Sequence, residues 1–122
     1  MIHKMGHKNF TLLAKMMDLH AEKHRIHAQN IANVNTPHYR RRSLNFEGAL
    51  RQAMAKGHAA DYGQIEGTVE RPNTTLVRNN GNNVDIDQEI RALSGNSITY
   101  QIYTDLYARK SRMVKAAIKG GF

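Results

Sequence analysis

Apolar residues in the first third of the chain return in steps of three and four. Leu12, Met16, Leu19 and Ile26 fall on one line, continued by Asn30 and Asn33, and no glycine or proline interrupts positions 9–33. That spacing predicts a helix over 9–33, a rod approaching ~40 Å at ~1.5 Å per residue. Leu13, Met17 and Ile31 form a second row around the same helix, with His20, His24 and His27 along it. The apolar surface is therefore broader than one neighbouring helix would cover.

The rhythm returns at the other end of the chain. Asp85 with Gln88 three residues on makes a variant of the capping box, and Asp87 and Glu89 suit the positive end of a helix dipole. Lys110, Arg112, Lys115 and Lys119 gather near the far end, where Gly120-Gly121 closes the pattern. Ile86, Leu93, Tyr100, Tyr107 and Val114 recur every seventh residue, with Ile90, Ser97, Thr104, Ser111 and Ile118 at the alternate seam position. This is a coiled-coil rhythm. On the opposite side Ile98, Ile102, Leu106 and Met113 fall some ~120–180° from Tyr100 at 100° per residue. A helix apolar on two faces needs cover on two faces. Gly95 interrupts it at about 1 kcal/mol relative to Ala, which suits either a bend or close approach of a neighbouring backbone.

Between the rods the chain turns. Asn33 and Asn35 bond their own backbone readily and tolerate left-handed angles, and Pro37 disfavours helix at Thr36. Such a turn aims Tyr39 and the run Arg40-Arg41-Arg42 in a defined direction. Ser43 or Asn45 then caps a short helix carrying Phe46, Ala49, Leu50, Ala53 and Met54, which fades at Gly57. Positions 57–83 are rich in Gly, Asn and Thr, with a strong turn signal at 79–83, and read as a connection that orders only when something packs on it.

The expected fold is all-α. Two long terminal helices form an antiparallel, coiled-coil-like hairpin, with a short third helix and a loop-rich, disordered middle. Its parts are a flexible tail over 1–8, a unit over 9–56 (helix, turn, short helix), a flexible segment over 57–83 and a helix over 84–122. Leu12, Met16, Leu19 and Ile26 are expected to face Ile90, Leu93, Tyr100, Tyr107 and Val114 within the chain. Ile98, Ile102, Leu106 and Met113 are left for other subunits.

Composition narrows the partners. The 122 residues are 40% hydrophobic, without Trp or Cys, and carry a formal charge of +8. Such a charge favours an acidic partner, a membrane surface or nucleic acid. A basic helical hairpin binding nucleic acid through Arg40 to Arg42 is the alternative reading, thinly supported because Tyr39 is the only aromatic beside the cluster. No apolar run reaches the ~18 residues that cross a bilayer, so no membrane insertion is expected. The amino terminus lacks the apolar core of a cleaved signal peptide.

Chemistry is sparse. His20, His24 and His27 at i, i+4 and i+7 share a helical face, but His20-Ala21-Glu22-Lys23-His24 lacks the Glu directly after the first His that a zinc protease needs. Polar contacts in a subunit interface explain the row better, and histidines there would make assembly pH-sensitive. With no thiol, no glycine loop opening a helix and no spaced carboxylate pair, the sequence reads as a non-enzyme with no cofactor and no metal.

The stretch Gln29-Asn30-Ile31-Ala32-Asn33-Val34-Asn35-Thr36-Pro37-His38-Tyr39 resembles the signature of flagellar basal-body rod proteins, an Asn-Ile-Ala-Asn core followed by Asn/Asp-Thr-Pro-Gly-Tyr. Asn83-Val84-Asp85-Ile86-Asp87-Gln88-Glu89 and Asn96-Ser97-Ile98-Thr99-Tyr100-Gln101 resemble the start and continuation of that family's carboxy-terminal helix. The resemblance covers roughly residues 10–50 and 80–119 and is strongest to the short proximal members. It implies a structural drive-shaft subunit that packs with other rod subunits and with itself, next to basal-body ring or export-gate proteins. It further implies a periplasmic rod location reached through the flagellar type III apparatus without a cleaved signal. Asn30, Ile31, Asn33, Asn35, Thr36, Pro37 and Tyr39 of the signature would then join the assembly surface. Phe46 and Leu50 match the short export-gate pattern of such substrates. His38 stands where the family usually has Gly, so the turn there needs a left-handed residue that His tolerates at some cost.

Overall fold

The computed structural model describes the backbone of residues 2–120 and the side chains of residues 9–120. Two long helices, α1 (Ile2–Ala32) and α4 (Ile86–Gly120), dominate the chain. Between them come strand β1 (Ser43–Asn45), helix α2 (Glu47–Lys56), helix α3 (Ala59–Gly63) and strand β2 (Thr68–Glu70). The molecule is thus mostly helical without being all-α, because β1 and β2 pair antiparallel, with Leu44 opposite Val69. Helix α1 begins at Ile2, so helical backbone occupies positions expected as a tail; their side chains lie outside the described residues.

The long helices run in opposite directions. Between His20 and His27 α1 advances by seven residues, while their partners on α4, Asn96 and Glu89, retreat by seven. Further along, Phe10 meets Tyr107 edge-on at 5.1 Å. The start of α4 is fixed as its sequence suggests: Asp85 Oδ1 accepts from the backbone N–H of Asp87 and Gln88 at 3.1 and 3.2 Å. Helix α2 ends at Gly57, whose φ of 71° lets its N–H return to the Ala53 carbonyl.

The apolar core is elsewhere than the coiled-coil pattern places it. Met16, Leu19 and Ile26 cluster with Leu44, Phe46, Ala53, Tyr62 and Ile65, and Leu12, Ala49 and Leu50 pack at its margin. Among the described residues, Tyr103 alone joins this cluster from α4. The line on α1 expected to face α4 therefore faces the middle segment, which is built on rather than left loose. The physical reason is simple: a broad apolar helix buries its richest row where large side chains are on offer. Phe46, Tyr62 and Ile65 provide those.

The polar seam, the asparagine clamp and the bare face of α4

Burial along α4 is greatest at two polar residues, Glu89 and Asn96. Asn96 faces His20 and exchanges two hydrogen bonds with it. The imidazole Nδ1–H donates to Asn96 Oδ1 at 2.6 Å, and Asn96 Nδ2 donates to the His20 carbonyl at 2.7 Å. The ring of His20 also stacks on Tyr103 and meets Phe46 edge-on, each at 5.4 Å between centroids. One turn on, Ser97 and His24 approach at 3.4 Å near the surface. The histidine row is thus spent within the chain. Among the described residues no group of three His, Asp or Glu side chains is placed to hold a metal ion.

Deeper in the seam lies a charged cluster. His27 Nδ1–H donates to Glu89 Oε2 at 2.6 Å, and Arg41 brings its Nε to 3.5 Å from Glu89 Oε1. All three side chains are nearly or wholly buried. The Arg41 contact is ionic rather than a hydrogen bond. Arg41 Nε and Nη1 and His27 Nε2 are buried with no hydrogen-bond partner among the described residues. A buried carboxylate is tolerated only when paired. Here three separate pieces of chain, α1, the post-turn strand approach and α4, converge to pair it.

Above this cluster three buried asparagines replace backbone partners the turn lacks. Asn30 Oδ1 accepts from the Arg42 N–H and the Tyr39 hydroxyl at 3.0 and 3.1 Å, while its Nδ2 donates to the Arg42 carbonyl at 2.7 Å. Asn82 Nδ2 donates to the carbonyls of Asn33 and Thr36, both at 2.8 Å, and its Oδ1 accepts from the Val84 N–H at 2.8 Å. Asn83 Oδ1 takes the Arg41 N–H at 2.6 Å. Arg78 adds two bonds, to the carbonyls of Val84 and Val34. Together they clamp 33–42 onto 72–84. Within the clamp His38 adopts φ 63°, the left-handed geometry expected where the family carries glycine. Its N–H reaches the Asn80 carbonyl at 2.8 Å. Gly81, at φ 83°, lies so close that an added Cβ would stand 2.6 Å from His38 Nδ1.

The residues singled out from sequence thus part company. Asn30, expected on an assembly surface, is wholly buried because the turn needs its amide. Tyr39 is half-buried for the same reason, with Asn33 and Ile31 at the rim and Asn35, Thr36 and Pro37 exposed. The basic run is not a free patch. Arg41 lies buried at Glu89, Arg42 bonds Gln29, and Arg40 is left exposed. Of the α4 residues expected in the seam, Leu93 is half-buried, while Ile90, Tyr100, Tyr107 and Val114 remain well exposed; Tyr107 still reaches Phe10. Phe46 is buried in the core and Leu50 packs beside it.

The opposite side of α4 is bare. Ile98 is 63% exposed, Ile102 53% and Met113 71%, with Leu106 alongside. Gly95 opens onto empty space here, with nothing within 4 Å of a Cβ placed on it. No helix among the described residues is long and apolar enough to cross a membrane, so this stripe is not a buried span.

Comparison with known proteins places the arrangement. No family model matches the sequence. Curated relatives do, over most of its length. The flagellar basal body rod protein FlgB of Bacillus subtilis is 31% identical over 108 residues, covering 81% of this chain and 84% of that protein. FlgB of Borrelia hermsii is 29% identical over 126 residues, covering 88% and 93%. FlgB of Salmonella typhimurium is 26% identical over 122 residues, covering 86% and 88%. Paired long helices, the asparagine turn and these likenesses define a flagellar basal body rod protein as the class. Within that class the chain belongs to the FlgB family.

Proposed function

We propose that the chain is a structural subunit of the flagellar basal body rod, assembled with copies of itself and with other rod subunits through the bare face of α4. The observation that carries this reading is the contrast between the two sides of one helix. The inner side is spent on bonds within the chain, whereas Ile98, Ile102 and Met113 are left in water. A contiguous apolar stripe of this kind marks a surface that meets another protein. Gly95 fits the same reading, since nothing in the chain itself approaches it.

Export through the flagellar type III apparatus without a cleaved signal fits a chain lacking cysteine. Phe46 is buried and Leu50 packs half-buried beside it once the chain folds, so the pair would be fully readable by an export gate only in the unfolded chain. The nucleic-acid alternative loses its footing, because Arg41 and Arg42 are engaged internally.

Site-directed cross-linking in intact basal bodies tests the assembly face. The native chain has no cysteine, so Ile102→Cys and Ile31→Cys each introduce a unique thiol. Ile102→Cys should give products joining two subunits, and Ile102→Asp should abolish incorporation while keeping more helix than Leu93→Asp. A rod that assembles normally with Ile102→Asp would overturn the reading.

A further inference from the structure

The turn over 79–83 carries a reactive pair. Asn80 is followed by Gly81, and no other asparagine in the chain precedes a glycine. An asparagine amide is open to attack by the main-chain nitrogen of the next residue, and glycine offers that nitrogen without a Cβ to hinder it. Asn79, Asn82 and Asn83 are followed instead by Asn80, Asn83 and Val84. Asn80 is also exposed, so water reaches its side chain, whereas Asn82 and Asn83 are buried. The fold acts on the pair in two opposed ways. The Asn82 N–H donates to Asn80 Oδ1 at 3.1 Å, which polarises the carbonyl under attack, as a donor aimed at a developing oxyanion does. Against this, the Gly81 N–H donates to the Arg78 carbonyl at 2.8 Å, and the Asn80 carbonyl accepts from the His38 N–H at 2.8 Å. A nitrogen whose hydrogen is committed to a carbonyl is not free to shed that proton and attack. Gly81, at φ 83° with His38 packed against it, has little room to turn while the clamp is shut.

We infer that Asn80 is a site of spontaneous covalent modification, deamidation through a cyclic imide, and that closure of the asparagine clamp holds its rate down. In the first step the Gly81 nitrogen forms a bond to Cγ of Asn80. Its proton is carried by solvent to Nδ2, which leaves as ammonia when the Cγ–Nδ2 bond breaks. Water then opens the imide on either side of its nitrogen, and no other reactant is needed. Cleavage at Cγ gives aspartate in an unaltered main chain. Cleavage at the former main-chain carbonyl gives isoaspartate, with the chain rerouted through the side chain and longer by a methylene. Either product puts a carboxylate at position 80, and isoaspartate exchanges the roles of the two oxygens that hold His38 and Asn82. In the folded chain each attack waits on a local opening of the turn. The pair is thus a chemical clock that advances while the turn is open and slows when it shuts. The inference does not depend on the rod reading, and either can fail alone.

Peptide mapping by mass spectrometry tests it on the full chain, held in mildly alkaline buffer with and without urea, with imide, aspartate and isoaspartate separated. In urea, conversion at Asn80 should exceed that at Asn79, Asn82 and Asn83 by at least about tenfold, and Gly81→Ala should slow it by a similar factor. In native buffer the parent chain should convert at least about tenfold more slowly than in urea. Asn82→Ala keeps the N–H at Asn80 Oδ1 but removes the grip on the Asn33 and Thr36 carbonyls. It should raise the native rate several-fold and leave the rate in urea unchanged. Equal rates with and without urea, or conversion in urea spread evenly over the four asparagines, would overturn the inference. So would an Asn82→Ala chain that stays folded and converts at the parent's native rate. Helix content is followed throughout; if Asn82→Ala unfolds, the comparison on the parent chain decides.

Discussion

The turn end of the molecule and the outer side of α4 handle unmet groups in opposite ways. At the turn, irregular backbone that no helix or sheet could satisfy is met by Asn30, Asn82, Asn83 and Arg78, whose side chains act as substitute peptide groups. Along the outer side of α4, backbone needs are met by the helix itself, while Ile98, Ile102 and Met113 are left in water. One region spends its buried polar groups within the chain. The other is open because its apolar groups point outward. On the proposed assembly reading, folding and association rest on different residues, and substitutions should divide accordingly.

The sharpest division is expected at Glu89. Removing it by Glu89→Ala leaves Arg41 buried without its counter-charge and should lower stability by about 3–5 kcal/mol, read from urea denaturation. Replacing both charges with apolar groups, Glu89→Leu with Arg41→Met, should recover most of that loss. If the double variant is no better than the single one, the cluster is not acting as a charge pair.

A smaller loss is expected from Asn82→Ala. It leaves the Val84 N–H without a partner and takes from the carbonyls of Asn33 and Thr36 one of their two bonds, a loss of about 1–3 kcal/mol in total stability. Hydrogen exchange should show the loss concentrated at 33–42 and 78–84. Uniform deprotection along both long helices would mean that the clamp and the rods are one cooperative unit.

The smallest effect has the opposite sign. Gly95→Ala should stabilise the isolated chain by about 1 kcal/mol, because the site is helical and open. If a neighbour's backbone approaches there in the rod, the same change should impair swimming. Gain in both thermal midpoint and motility would assign Gly95 no part in assembly.

Much of this was legible in the residues. The turns of α1 and α4 announce themselves through long uninterrupted periodicity, and Asp85 and Gly57 mark boundaries through chemistry local to a few positions. The left-handed demand at His38 was visible because glycine is the usual occupant in the family. What escaped detection depended on distant partners. Three-residue strands such as 43–45 and 68–70 carry too little alternation to register, and their pairing spans the whole of α2 and α3. The seam is hidden because apolar heptads ordinarily face inward. Glu89, Asn96 and Tyr103 also recur at sevens, but a glutamate and an asparagine on a helix look solvated until a histidine is known to stand opposite. The middle segment looked loose for a related reason. Tyr62 and Ile65 have nothing near them in sequence to pack on, and α1 supplies it.

The two histidine bridges have a further consequence through their spacing. Because His20 meets Asn96 and His27 meets Glu89, sliding α4 by one heptad in either direction would part Glu89 from Arg41 and leave a buried guanidinium without its carboxylate. Such a slip would also carry Ile98 and Ile102 about 10 Å along the rod axis, at ~1.5 Å per residue. The bridges therefore work as a gauge: every copy of the molecule offers its greasy patch at one height above the turn, as interchangeable bricks in a shaft require.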